Sequence, residues 1–133
     1  MRYVFKGVET PIGIIESGRD ALYVDSFEQK YSSLIIRGVI NSRFCLPEYK
    51  TFKWYSFQIT LKGVEAYKCE NIDIYSWKEW NCNSALSEVV NSEWYKEYGL
   101  MDNVLKHYLI ETYDYIYFIL CGEMEITITK SSN

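Results

Sequence analysis

The chain consists largely of short segments in which apolar and polar side chains alternate with the two-residue period of a half-buried strand. The clearest alternation covers residues 53–61, where mostly polar side chains separate the apolar residues Tyr55, Phe57, Ile59 and Leu61. One face of this segment is therefore predicted to lie in a core, and the other face in water.

Residues 105–129 are the segment richest in β-branched, aromatic and leucine side chains, and its break is the polar turn at 112–114. Two apolar runs that are joined by a short polar turn predict a β-hairpin, which would form the spine of one core. The turn permits two registers. A three-residue turn at 112–114 places position 107 opposite 119, whereas a two-residue turn at 113–114 places it opposite 120.

Further strands are predicted where β-branched and aromatic residues lie between turn formers. Residues 31–40 are rich in Ile and Val and are expected to form a central strand that is covered on both faces. Pro47 restricts residues 43–50 to an edge or a loop, because proline has no amide proton to donate. The turn at 62–63 is predicted to form a second hairpin with residues 64–69. The remaining predictions are short strands at 4–6, 13–16 and 21–25, and a segment at 86–90 that fits either a strand or a helix.

A short helix is predicted over residues 92–98. Ser92 can cap its first turn, Glu93 places a carboxylate near the positive end of the helix dipole, and a glycine follows its last turn. Trp94 and Tyr98 lie four residues apart and share one face, which is expected to pack on the sheet.

These elements predict a single globular domain over residues 1–133 with an α+β fold. Its main part is an antiparallel, strongly bent β-sheet of about six to eight strands, which forms an open barrel or a sandwich. The short helix packs against this sheet. A chain of this length can build one hydrophobic core without disulfide bonds.

The charge balance argues against a nucleic-acid partner. The chain carries 14 basic and 18 acidic side chains, a formal net charge of −4, whereas proteins that bind a phosphate backbone carry a basic surplus on one face. The lysines are spread singly, so no polybasic cluster would hold an anionic membrane. An acidic surface instead suits solubility or a cationic protein partner.

No segment has the pattern of a secretory signal or of a membrane span. Gly7, Glu9 and Pro11 follow the first six residues, so the N-terminus has no apolar core of a secretory signal. The longest apolar run, residues 115–121, has the length of a strand. The four cysteines are widely spaced, lack a C-x-x-C pairing, and are expected to be free thiols in a reducing compartment. A cytoplasmic protein is therefore expected.

The candidates for catalysis are His107 and Cys121. A histidine changes charge near neutral pH and can act as a general base, and a neighbouring thiol can act as a nucleophile. The three-residue turn would place the two side chains diagonally close on one face, whereas the two-residue turn would separate them. A packed thiol and a structurally hydrogen-bonded imidazole are the favoured interpretation, because no oxyanion site accompanies the pair.

No metal site or cofactor site is predicted. One histidine and four scattered cysteines match none of the usual zinc spacings, and the acidic residues Glu70, Asp73 and Glu79 lack the alternating oxygen ligands of a calcium loop. The chain also has no glycine-rich phosphate loop and no nucleophile elbow.

The best candidate for a binding surface is the aromatic segment at residues 75–80. Tyr75, Trp77 and Trp80 lie there together with the carboxylate of Glu79. Rigid aromatic side chains bury much area at little conformational cost and therefore anchor protein interfaces. The alternative is that the two tryptophans close one end of the sheet as part of the core.

The end of the chain alternates Glu123 and Glu125 with the apolar residues Met124, Ile126 and Ile128. Both carboxylates are expected on the solvent face of the last strand, where charges discourage pairing with other chains. Acid-base or metal chemistry by these carboxylates is the less favoured interpretation. The pattern does not decide the oligomeric state, and a dimer through an edge strand is one alternative.

A resemblance is carried by Asn-Ser-Glu-Trp at residues 91–94 and Leu-Lys-His-Tyr at residues 105–108, followed by Tyr113, Asp114 and an apolar strand. This arrangement resembles the C-terminal part of small uncharacterised bacterial proteins. Some small acidic cytosolic proteins of this kind resemble immunity proteins, which neutralise a toxin. The resemblance implies protein binding and assigns no catalytic residue.

The favoured function is therefore a non-enzymatic protein-binding module with an immunity-like or antitoxin-like role. The first alternative is a small-ligand carrier, in which a curved sheet encloses an apolar cavity with His107 or tyrosine hydroxyls at its rim. The second alternative is an enzyme of unknown type that uses His107.

Overall fold

The computed structural model describes residues 4–16, 20–46, 54–71, 84–90 and 105–130. These ranges form strands almost throughout, and the helical segment within them is a single 3-10 turn at Ser42–Phe44. The strands in the described ranges are β1 (Phe5–Gly7), β2 (Glu9–Thr10), β3 (Gly13–Ile15), β4 (Leu22–Lys30), β5 (Ser33–Asn41), β6 (Cys45–Leu46), β7 (Trp54–Lys62), β8 (Ala66–Asn71), β9 (Leu86–Val89), β10 (Lys106–Glu111), β11 (Tyr115–Cys121) and β12 (Glu123–Lys130).

The strands of the described ranges form three antiparallel sheets, and none of the three closes into a barrel. The five-stranded sheet has the order β1-β9-β10-β11-β8, and the four-stranded sheet has the order β12-β7-β5-β4. A third sheet, with the order β2-β3-β6, contributes Ile15 and Cys45 to the same core as the two larger sheets.

The predicted α+β class is wrong, because the described part of the chain is nearly all β and contains no α-helix. Hydrogen bonding between strands also holds polar stretches extended that lie outside the strands predicted from the sequence pattern. β4, for example, continues to Lys30 because each of its last residues pairs with a residue of β5. Residues 86–90, which fitted either a strand or a helix, contain strand β9. The helix predicted over residues 92–98 lies outside the described residues.

A two-stranded ribbon joins the two large sheets and passes from one into the other at Gly63 and Gly122. Before Gly63 the ribbon pairs β7 with β12, and after it the ribbon pairs β8 with β11. The Gly122 amide donates to the carbonyl oxygens of Lys62 (3.0 Å) and Gly63 (3.1 Å). The Glu65 amide donates to the carbonyl oxygen of Leu120 (2.9 Å). The two strands of the ribbon therefore stay hydrogen-bonded to each other where they pass from one sheet into the other.

The second hairpin predicted around residues 62–63 is consequently wrong. β7 and β8 follow one another in the chain but belong to different sheets. Gly63 has a φ of +65°, a conformation that glycine adopts readily and that serves a corner between sheets as well as a hairpin turn. In the same way, residues 115–129 form two strands that separate at Gly122.

The main core lies between the facing sides of the two large sheets. Ile36 and Ile59 on the four-stranded sheet and Ile110 and Ile119 on the five-stranded sheet are fully buried members of it. The alternation predicted for β7 is confirmed, because its apolar residues from Phe57 onward are buried and the residues between them are partly exposed. Burial of apolar area on these two inner faces is the main stabilising contribution to the fold.

Strands β10 and β11 are buried on both faces. Their face opposite the main core, here called the second face, carries a row of buried side chains: His107, Leu109, Glu111, Ile116, Phe118 and Leu120. The strand that was predicted to be covered on both faces is β5, which lies inside its sheet but leaves Arg37 exposed on its outer face. A run of branched side chains occurs both in a strand that is buried on two faces and in a central strand with one exposed face, so periodicity does not distinguish these two cases.

The hairpin of β10 and β11 adopts the register of the two-residue turn. His107 pairs with Leu120, and Tyr113 and Asp114 form the turn. Thr112 closes it, because its amide and its hydroxyl both donate to the carbonyl oxygen of Tyr115, at 2.9 and 2.6 Å. The same hydroxyl accepts a hydrogen bond from the Tyr115 amide at 3.1 Å. A threonine side chain therefore fixes the register of the whole hairpin.

Gly38 on β5 lies against a β-bulge in β4. The pairing between these strands shifts between Val24 and Ser26, so Asp25 has no residue of β5 opposite it. A Cβ atom at position 38 would overlap the carbonyl oxygen of Tyr23 and lie 2.9 Å from its carbonyl carbon. This position therefore accepts only glycine without a shift of the backbone.

We expect Gly38→Ala to lower the free energy of unfolding by about 2 to 3 kcal/mol, because the added methyl group meets backbone atoms and not a movable side chain. Urea denaturation followed by tryptophan fluorescence measures the effect. Thr129→Ala, at an exposed position of the same sheet, is the matched control and should change the free energy by less than about 0.5 kcal/mol. Equal denaturation midpoints for the two variants would contradict the close approach at Gly38.

Candidate functional site

His107 and Cys121 lie on opposite faces of the five-stranded sheet. His107 pairs with Leu120, so the next residue, Cys121, faces the main core while His107 faces the second face. The Cys121 thiol instead contacts the carbonyl oxygen of Glu123, at 3.6 Å from Sγ. The two side chains therefore do not form a pair of nucleophile and base, as expected for the two-residue turn.

The imidazole of His107 is enclosed, with 2% of the residue exposed. Its ring centroid lies 6.4 Å from that of Phe118, and the Lys68 ammonium lies 5.0 Å from the same Phe118 ring. Burial, together with the positive charge of Lys68, lowers the pKa of His107 to about 4. The ring is therefore neutral at physiological pH and stabilises the fold in that form.

A buried carboxyl group lies on the same face as His107. Glu111 is fully buried, and its amide donates to the carbonyl oxygen of Ala85 at 2.7 Å. Four residues along one strand separate the two side chains by about 13 Å, so they do not contact each other. The strand period places Glu111 and His107 on one face, but it does not predict the burial of a carboxyl group beside a turn.

Two of the thiols in the described ranges are buried and one is exposed. Cys45 and Cys121 lie in the main core, whereas Cys69 is exposed on β8. Burial raises the pKa of Cys45 to about 11, with a smaller contribution from Glu16, and burial likewise raises the pKa of Cys121 to about 11. Both buried thiols are protonated at neutral pH and are poor nucleophiles.

The predicted binding residues Tyr75, Trp77, Glu79 and Trp80 lie outside the described residues. Of the acidic group considered with them, Glu70 is described and lies partly buried on β8. Within the ranges that the structure describes, no three His, Cys, Asp or Glu side chains are arranged to hold a metal ion.

The exposed tyrosines of the described chain lie beside β4, at the open edge of the four-stranded sheet. Tyr31 forms the tip of the β4–β5 hairpin and is 91% exposed. Tyr67 on β8, Tyr113 in the β10–β11 turn and Tyr115 at the start of β11 are 38 to 43% exposed. These four residues are here called the tyrosine edge.

Ring contacts between β4 and the five-stranded sheet position the tyrosine edge. Phe27 of β4 stacks on Tyr117 with 5.4 Å between ring centroids, and its ring lies 5.7 Å from that of Tyr67. Near the other end of β4, Tyr23 stacks on Tyr113 with 5.0 Å between centroids. No described strand pairs with this side of β4, so aromatic packing takes the place of a strand partner here.

Tyr31 has a φ of +56°, and it is the one non-glycine residue of the described ranges with a positive φ. This left-handed conformation costs a side chain with a Cβ atom about 1 kcal/mol or more. A ring that is almost fully exposed cannot offset the cost through packing in the folded chain. Backbone strain of this kind is typical of residues that serve a function.

A groove of about 240 Å³ lies between Tyr31 and Tyr67. Gln29, Val64 and Glu65 also line it, and the Tyr67 hydroxyl donates to Gln29 Oε1 at 2.8 Å. The groove is smaller than most small-molecule sites and has room for one or two side chains of a partner. Tyrosine rings beside a carboxylate suit the cationic end of a lysine or an arginine.

Acidic side chains outnumber basic ones along the tyrosine edge. Glu65 and Asp114 are exposed there, whereas Lys30 is the single basic residue of β4; Asp25 lies instead on the outer face of the four-stranded sheet, in a groove that Arg37 also lines. The carboxylate of Glu28 is paired with Arg37 at 3.4 Å, so this pair adds no net charge. The local balance therefore has the same sign as the net charge of −4 for the whole chain.

The sequence pattern did not single out the tyrosine edge. Tyr31 and Tyr113 each occupy a two-residue turn, at Tyr31-Ser32 and Tyr113-Asp114. Glycine, asparagine and aspartate are the usual residues of such turns, so an aromatic ring at the tip is the signal that could have identified them. A side chain at the tip of a two-residue turn cannot reach the core from there.

Comparison of the chain with protein-family models, with curated proteins and with solved structures found no significant match. The residues that the structure describes include no helix with the length and apolarity that crossing a membrane requires.

Acidification is expected to destabilise the protein through His107. The folded pKa of about 4 lies below the ordinary value of 6.5, so the unfolded chain binds more protons between these two pH values. The stabilisation is complete above the ordinary pKa and declines as the pH falls toward the folded one, by roughly 2 to 3 kcal/mol near pH 4.5. Urea denaturation at neutral pH and near pH 4.5 measures this loss.

His107→Gln is the matched control, because it keeps a polar side chain that does not titrate in this range. Between neutral pH and about pH 4.5, the variant should lose roughly 2 to 3 kcal/mol less stability than the wild type. Identical losses in the two proteins would show that His107 is not responsible. His107 is the only histidine of the chain, so its ring-proton titration by NMR also reports its pKa directly.

Iodoacetamide is expected to modify Cys69 in the native protein and to leave Cys45 and Cys121 unmodified. Cys69 is exposed, whereas the other two thiols are buried and protonated. Mass spectrometry of peptides after native labelling measures the modification of each residue. Labelling in urea is the control and should modify all three. Rapid native labelling of Cys121 would contradict its placement in the main core.

Proposed function

We propose that this protein is a non-enzymatic protein-binding module whose tyrosine edge contacts a basic segment of its partner. The observation that carries this proposal is Tyr31, a ring that is 91% exposed on a left-handed backbone. Glycine would satisfy this backbone at lower cost, and the ring returns nothing through packing in the monomer. A contact with a partner is the simplest use for such a ring.

The chemistry of the tyrosine edge defines the partner. Tyrosine rings bury a large area with few rotatable bonds, and their hydroxyls keep them soluble when no partner is bound. The groove between Tyr31 and Tyr67 offers both rings and the Glu65 carboxylate to one inserted side chain. A lysine or an arginine fits this combination, and the acidic surroundings attract a basic surface from a distance.

An immunity-like or antitoxin-like role is the most concrete form of this function. Such a role consists of recognising a partner without chemistry of its own, and the net charge of −4 suits a basic partner. The free thiols at Cys45, Cys69 and Cys121 suit a reducing compartment, so the proposed location is the cytoplasm.

Tyr31→Gly should abolish capture of the partner while it stabilises the free protein. The variant removes the exposed ring and relieves the left-handed strain, which is worth about 1 kcal/mol. Wild-type and variant proteins are immobilised, exposed to lysate of the source cells, and the bound proteins are identified by mass spectrometry. Urea denaturation compares the stability of the two free proteins.

Val90→Ala is the matched control, because Val90 is an exposed apolar residue outside the tyrosine edge. The wild type and this control should retain the same basic protein, and added salt should weaken its retention. The proposal fails when Tyr31→Gly retains that protein equally well, or when the wild type retains no basic protein.

A further inference from the structure

The outer edge of β12 is regular, and no strand of the described ranges covers it. All eight residues of Glu123–Lys130 pair with β7 in one register without a bulge. Among the described strands, none lies on the other side of β12. Backbone amide and carbonyl groups along such an edge form a template for a further strand.

The two edges of the four-stranded sheet differ in how they are protected. β4 carries a bulge between Val24 and Ser26, and its ring contacts attach it to the other sheet. β12 has neither a bulge nor a proline, and its sequence from Ile126 to Thr129 is an alternation of strand-favouring isoleucine and threonine. Glu123 and Glu125 are the acidic residues on this edge.

The apolar side of β12 extends the main core to the surface. Met124, Ile126 and Ile128 pack against the main core but stay partly exposed, because no neighbour covers them beyond β12 within the described ranges. A further strand on this edge would cover these three side chains and continue the core.

We propose that β12 pairs in antiparallel orientation with β12 of a second copy of this chain. The pairing joins two four-stranded sheets into one eight-stranded sheet across a two-fold axis. It uses a different surface from the tyrosine edge and does not depend on the proposed function.

The self-pairing register follows from the alternation of β12. Residues that share a face must lie opposite each other, so one residue faces its own copy on the axis. With Ile126 on the axis, Met124 faces Ile128, and the two glutamates face threonines: Glu123 faces Thr129 and Glu125 faces Thr127. Every apolar side chain then meets an apolar partner, and no like charges lie directly opposite each other.

The neighbouring registers are less favourable. With Glu125 on the axis, two carboxylates would face each other, and with Thr127 on the axis, Met124 would face Lys130. In the Ile126-centred register, Glu125 keeps its contact with Lys62, whose Nζ lies 3.5 Å from Oε1 on the exposed face of the same sheet. Pairing in the Ile126-centred register therefore places no two like charges directly opposite each other.

A charged side chain introduced at position 127 tests both the β12 interface and its register. Thr127 is exposed, and in the dimer it faces Glu125 of the second copy. Thr127→Glu places two carboxylates opposite each other at two symmetric positions, whereas Thr127→Lys places a lysine opposite a glutamate at both. Sedimentation equilibrium over a range of protein concentrations measures the dissociation constant, and far-UV circular dichroism compares the folds of the two variants.

The wild type is expected to dimerise with a dissociation constant on the order of micromolar, because one strand pair is a small interface. Thr127→Glu should raise that constant about tenfold or more, and Thr127→Lys should leave it equal or lower. A wild type that stays monomeric overturns self-pairing and leaves the edge to a strand of another protein. If Thr127→Glu dimerises as tightly as the wild type, the β12 edge is not the interface. If both variants lose dimerisation equally, the Ile126-centred register is wrong.

Discussion

The paired bend at Gly63 and Gly122 is the constraint on which the rest of this structure depends. Two neighbouring strands leave one sheet and enter the other at the same level, and hydrogen bonds from the Gly122 amide to Lys62 and Gly63 hold them together there. Because the ribbon is shared, the two sheets face each other, and the main core fills the space between them. The bend also decides which strands become edges: β12 in the four-stranded sheet and β8 in the five-stranded sheet. The bend therefore fixes one edge of each large sheet.

The edges of the two sheets differ in chemistry because the bend leaves them in different surroundings. β4 has aromatic partners on the other sheet, so Phe27 and Tyr23 attach it there and the tyrosine edge forms alongside. β12 carries a regular ladder and a partly exposed apolar row. One side of the protein thus offers tyrosines and carboxylates, and the other offers backbone hydrogen-bonding groups. Each surface has the chemistry of the association that we propose for it.

Burial suppresses the chemistry that the sequence composition suggested. His107 has its pKa lowered to about 4, and the thiols of Cys45 and Cys121 have theirs raised to about 11, so all three are neutral at physiological pH. In each case desolvation is the larger cause. The same residue types on exposed loops would be reactive groups. On the second face of β10 and β11 and in the main core, they act as packing side chains with a polar atom.

Local features of this protein could be predicted from its sequence. The alternation in β7 and the solvent-facing side of Glu123 and Glu125 follow from the two-residue period, which depends only on neighbouring residues. The hairpin of β10 and β11 follows from two apolar runs around a short polar turn, whereas the separation of β12 from it does not. Tertiary structure decided the rest. The class, the partners of β8 and β12, and the face of Cys121 relative to His107 depend on backbone hydrogen bonds, which form with any side chain and so leave no pattern in the sequence. The register of the β10–β11 hairpin depends on a turn that the Thr112 hydroxyl closes with hydrogen bonds. The exposure of Tyr31 depends on a two-residue turn, which hydrophobic periodicity does not predict. The sequence by itself determined which face of the alternating segments is apolar, because that property is local. Only the folded chain determined which polar stretches are extended, which strands meet and which surfaces remain, because pairing over long distances is set by the geometry of the whole backbone.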